Sequence, residues 1–198
     1  MHDDSITSTQ LLVLLLDPQA QAVWVEFDGR YRPILAGCAR RRGLSAEQAA
    51  DVAQETLARF AQAYRAGQYD RGRGRLRAWL LGIARNVMRE AFREPRAPQS
   101  IDTAENQEAP DDAELWAHER RVEILRRGLD ALMRESRFSP SSLRAFDRVA
   151  LGGESPELVA ADLGLTRHDV YVAKHRVAHR LRAVVRRLEA IYDEDAAA

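Results

Sequence analysis

Cysteine is nearly absent. Cys38 stands alone among 198 residues, so no disulfide can form within the chain, and a reducing compartment, the cytoplasm, is expected. Long apolar runs are missing too. The longest, Leu11 to Leu16, falls well short of the about 20 residues that cross a bilayer. Asp3 and Asp4 precede it where a signal peptide would carry basic residues, so no membrane partner is expected. No segment shows the alternation of a half-buried strand, and no glycine-rich phosphate loop or long repeat is apparent. No Ser/His/Asp or Cys/His arrangement stands out, so an enzyme is not indicated. His175 and His179 share the i, i+4 spacing of a metal pair, but no glutamate lies between them and no nearby cysteine or acid completes a site. Neither a metal nor another cofactor is expected.

What is present is charge, at 30% of residues, beside 45% apolar residues that suffice for one or two small cores. Lys+Arg and Asp+Glu balance at 30 each, but they are not mixed evenly. From Gly29 to Arg96 the net charge is +9, from Gln99 to Glu123 it is −6, and from Arg144 to Leu188 it is +4. Two basic modules around an acidic segment suit a protein that touches a polyanion twice. Nearly all the positive charge is arginine, whose planar fork suits bidentate contact with phosphate and guanine.

The periodicity predicts an all-α protein. Val23, Trp24, Phe27, Tyr31, Ile34, Leu35 and Cys38 form one apolar stripe, with Pro33 inside it predicting a kink or break. Cys38, on that stripe, is expected to be buried. Arg40–Arg41–Arg42–Gly43 reads as a basic last turn with a glycine stop. Ser45 and Gln48 have capping-box spacing and open a second helix through Phe60. Residues 67–74 read as a loop rich in glycine and arginine, and Leu76 to Phe92 as a third helix. Pro95 to about Asp112, acidic and almost without apolar residues, reads as a flexible linker. Two small helical domains are therefore expected, at 20–96 and 114–190, joined by an acidic linker at 97–113.

Near the C-terminus, Ser155–Pro156–Glu157 starts a short helix that Gly164 ends, and Thr166 to Asp169 caps a longer basic one. This is helix-turn-helix spacing, which lays the second helix in a major groove. With Val170, Val177 and Leu181 inward, Arg167, Tyr171, Val172, His175, Arg176 and Arg180 can face outward as DNA-binding candidates.

Residues 69–86, Tyr-Asp-Arg-Gly-Arg-Gly-Arg-Leu-Arg-Ala-Trp-Leu-Leu-Gly-Ile-Ala-Arg-Asn, closely resemble a bacterial RNA polymerase sigma factor of the extracytoplasmic-function (ECF) group. So does Asp51-Val52-Ala53-Gln54-Glu55-Thr56-Leu57, and Ser155 to Leu181 resembles that family's promoter-reading helix-turn-helix. The resemblance covers about residues 24–95 and 115–188. It implies a sigma factor that binds core RNA polymerase and directs promoter-specific initiation from −35 and −10 elements. Core polymerase and promoter DNA are the implied partners, and an anti-sigma factor is a further candidate.

Carried over by position, Asp51, Gln54 and Glu55 fall where the family meets the clamp of the polymerase β′ subunit, and their spacing gives one polar helix patch. Arg71, Arg73, Arg75, Arg77, Trp79, Arg85 and Asn86 fall on the −10 reading and melting surface. Alternating glycine and arginine suits tracking a single strand. Asn86 can pair with a base edge. Trp79 could stack on an unpaired base, but its apolar neighbours favour a core role. The family's −35 reading positions fall on Tyr171, Val172, His175 and Arg176. A stand-alone helix-turn-helix regulator is the alternative, and it would have no need of the polar patch at Asp51.

Overall fold

The computed structural model describes residues 8–17, 21–70, 75–91, 110–134 and 137–193. Among these every regular element is helical: α1 (Ser8–Leu14), α2 (Gln21–Arg41), α3 (Ala46–Arg65), α4 (Leu76–Ala91), α5 (Pro110–Arg134), α6 (Pro140–Phe146), α7 (Pro156–Leu163) and α8 (Arg167–Ile191). One wider turn of π type, Asp147–Leu151, follows α6. The chain divides into two compact units, residues 1–123 with 191–198, and residues 124–190.

In the first unit α3 packs against both α2 and α4, and α1 packs on α2. Aromatic rings fill the space between them. Phe27 and Phe60 stack with centroids 4.8 Å apart, Tyr64 stacks on Phe60 at 5.5 Å, and Trp79 meets Phe60 edge-on at 5.2 Å. Leu11, Leu12 and Leu15 are buried, so one face of the N-terminal leucine run belongs to this core, while Val13, Leu14 and Leu16 stay exposed. Tyr64 donates a hydrogen bond of 2.5 Å to the Leu12 carbonyl. Cys38 is 2% exposed, as the apolar stripe required, and burial pushes its thiol up to about 12.

Helix α2 continues through Pro33 without a break. Pro33 cannot donate to the Gly29 carbonyl, but the helical turns on either side, eight residues of them beyond Pro33, carry the helix across that single lost bond. The glycine stop holds: the helix ends at Arg41, and Gly43 turns the chain with φ of 93°. Ser45 then accepts a bond from the Gln48 amide, and the Gln48 side chain accepts one from the Ser45 amide, completing the capping box.

The acidic stretch expected to be a linker lies outside the described residues from 97 to 109, but its last part differs from expectation. Residues 110–113 form the first turn of α5, not linker. Asp111 and Asp112 sit at the positive end of the helix dipole, and proline at the first position costs no intrahelical bond.

In the second unit, Ala145, Val149, Val159, Ala160, Val170 and Ala173 form one cluster, and Leu132, Phe146, Val177 and Leu181 another. Ser155 caps α7, with Pro156 opening the helix, and Gly164 closes it at φ of 63°. Arg148 bridges Glu154 and Asp162, at 2.5 and 2.8 Å, tying the turn before α7 to the helix itself.

Candidate nucleic-acid interface

Helix α3 buries Val52, Ala53, Thr56, Leu57 and Phe60, and the same 3.6-residue period turns Asp51, Gln54 and Glu55 outward. All three are exposed on one face. Arg59, one turn beyond Glu55, donates from Nε to Glu55 at 2.7 Å and grips Glu90 of α4 with both terminal nitrogens, at 2.8 and 2.6 Å. The two carboxylates hold the Arg59 guanidinium in its charged form, and Arg59 holds the Glu90 carboxyl below its ordinary range. Arg59 was not singled out from the sequence, although its i, i+4 spacing from Glu55 is a signal for such a pair.

The arginine-rich surface is only partly in view. Arg71 and Arg73 lie outside the described residues. Arg75 is exposed just before α4, and Arg77 is half-buried on its first turn. Trp79 is 4% exposed, stacked on Tyr69 at 5.0 Å, so it occupies the core position that its neighbours favoured. Asn86 is half-buried, and its side-chain oxygen accepts from Arg89 at 3.2 Å. Arg85 points its Nη1 to within 3.2 Å of the Asp112 carboxylate, and its side chain is 19% exposed. Asp112 also accepts from Arg42. Nothing in the sequence announces that pairing, because 70 residues separate Arg42 from Asp112 and 27 separate Arg85 from it.

Helix α8 presents a different face. Val170 and Val177 are fully buried and Leu181 nearly so, which leaves Arg167, Tyr171, Val172, His175 and Arg176 exposed and Arg180 half-buried. Thr166 and Asp169 form a reciprocal cap: the Asp169 amide donates to the Thr166 hydroxyl oxygen at 3.1 Å, and Thr166 donates to the Asp169 carboxylate from its amide at 3.1 Å and its hydroxyl at 2.6 Å. Those bonds hold the Asp169 carboxyl below its ordinary range. Arg167 pairs with Glu157 of α7 at 2.9 Å and lies 5.6 Å from the Tyr171 ring centroid. A short helix, a left-handed glycine and a capped helix thus carry one polar, basic face outward.

No group of histidine, cysteine and acidic residues suited to a metal occurs among the described residues, and none of their helices is long and apolar enough to cross a membrane.

Residues 28–97, which hold most of α2, all of α3 and α4 and the arginine-rich loop, match the family model described as Sigma-70 region 2. Over 157 residues the chain is 26% identical to the ECF RNA polymerase sigma factor RpoE of Cereibacter sphaeroides, which spans 78% of this chain and 82% of that protein. Both matches are to sigma-factor sequences.

Proposed function

We propose that the chain is a dissociable specificity subunit of RNA polymerase, directing promoter-specific initiation through −10 and −35 elements. The single observation that carries the reading is the Sigma-70 region 2 match over residues 28–97, on a helical unit with an exposed acidic patch and a separate arginine-rich region. In this reading Asp51, Gln54 and Glu55 dock on the polymerase β′ clamp. Arg71, Arg73, Arg75, Arg77, Arg85 and Asn86 engage the −10 strand as it opens, and Trp79 supports that surface from the core. Arg167, Tyr171, Val172, His175, Arg176 and Arg180 read the −35 duplex from α8, with early positions toward base edges and later ones toward phosphate. An anti-sigma factor would act by covering one of these faces, and the place of action is the cytoplasm, where polymerase is.

Run-off transcription tests the reading. Core polymerase with the pure chain should initiate at promoters that core alone ignores. Asp51→Arg with Gln54→Ala should weaken core binding by more than about 1 kcal/mol while leaving helical content and melting unchanged. Promoter-independent DNA binding with no effect on core polymerase would favour the stand-alone regulator.

A further inference from the structure

The carboxylate of Asp112 is 1% exposed, yet it belongs to an acidic, apolar-poor stretch that elementary hydration would leave in water. It is buried because two guanidinium groups converge on it. Arg42, just past the end of α2, binds one oxygen, and Arg85, in the middle of α4, lies 3.2 Å from the other. Both arginines are substantially covered, at 31% and 19% side-chain exposure. One helical turn or more further on, Glu119 grips Arg41 at 2.5 Å, so the front half of α5 pairs acid with base along this side of the first unit. Each guanidinium group brings one nitrogen to its own carboxylate oxygen, and two arginines converging on one oxyanion is a pairing that suits phosphate as well.

We propose that Arg42 and Arg85 form a phosphate site for the backbone of promoter DNA, and that Asp112 is its internal occupant in the free chain. The inference rests on the sigma-factor reading for the identity of the anion. The carboxylate carries one charge and two acceptor oxygens, as a phosphodiester does, so exchanging one for the other keeps an anion between the two guanidinium groups. Free chain would then bind DNA weakly at this site until the first turn of α5 withdraws. Arg42 becomes a DNA-contacting residue that lies outside the arginine-rich loop.

The test uses the full chain and a short fluorescein-labelled single-stranded oligonucleotide, read by anisotropy at several salt concentrations. Asp112→Asn should tighten binding by roughly tenfold and steepen the salt dependence by about 0.7 for each phosphate newly engaged. Asp111→Asn, the same charge change at the exposed neighbouring position, should not. Adding Arg42→Ala or Arg85→Ala to Asp112→Asn should remove the gain. Melting curves accompany each variant, and a gain that survives both double variants would mark a loosened fold and overturn the proposal. An equal gain from Asp111→Asn would overturn it as a general charge effect. Inorganic phosphate that displaces the oligonucleotide at matched phosphate concentration would reassign the site to a free anion and overturn the nucleic-acid ligand. If run-off transcription succeeds while Asp112→Asn leaves DNA binding unchanged, the sigma-factor reading stands and this inference fails.

Discussion

The two units build their helical cores from different materials. The first is built on rings: Phe27, Tyr31, Phe60, Tyr64, Tyr69, Trp79 and Trp116 meet one another across α2, α3, α4 and α5. The second is built on alanine, valine and leucine, with Phe146 the one ring in its two buried clusters. It also keeps an apolar hollow of about 870 Å³ bordered by Leu129, Met133, Phe138, Leu143 and Val177. The surfaces differ in parallel. In the first unit some candidate residues pair within the unit, Glu55 with Arg59 and Arg85 with Asp112, while Asp51 and Gln54 stay exposed. In the second, Val172, His175 and Arg176 face solvent from a capped helix. The ring-built core carries side chains tied between helices, as Arg59 is to Glu90, whereas α8, over a core of small residues, keeps a polar face open.

The largest effect should separate the two cores. Phe60 is fully buried among four rings, so Phe60→Ala should cost about 3–5 kcal/mol. Val177→Ala, equally buried, removes only two methyl groups and should cost about 1–2 kcal/mol, at roughly 0.8 for each buried carbon. Denaturant unfolding of each variant measures both losses. Equal losses would break the contrast between the cores.

A smaller effect tests the exposed face of α8. If Arg176 grips guanine through two bonds, Arg176→Ala should cost roughly 1–3 kcal/mol on the cognate −35 duplex and much less where that base pair is changed. Arg186→Ala, further along α8, should weaken all sequences about equally and lower the salt slope by about one contact. Titrations on matched and altered duplexes separate the two. Equal losses for Arg176→Ala on both would make it a phosphate anchor and shift base reading to Tyr171 and His175.

The smallest effect lies in the cap that starts α8. Because Asp169 is bonded as a carboxylate, its folded pKa lies below its unfolded one. The stabilisation is therefore complete above the ordinary aspartate range and is lost as pH falls through the lowered folded value. Asp169→Asn should remove that acid-side dependence. Amide exchange in the first turn of α8, followed against pH in both proteins, would show it. A dependence that persists in the variant would place its origin elsewhere.

Much local chemistry was legible where partners are near in sequence, the Glu55–Arg59 pair excepted. The Ser45–Gln48 box, the Ser155 cap, the Gly43 and Gly164 stops and the Val170–Val177–Leu181 stripe all follow from spacings of a few residues, which a helix converts directly into geometry. The outward placement of Asp51, Gln54 and Glu55 follows from the same period. The all-helical class and the two basic modules were equally a property of composition and order. What tertiary structure alone decided is which far-apart groups share a site: Arg59 with Glu90, Trp116 stacked on Tyr31, Asp112 beneath Arg42 and Arg85. An acidic residue after a proline-rich stretch looks like solvated linker when read along the chain. It becomes buried only because folding brings two guanidinium groups to it, and their charge offsets the loss of water.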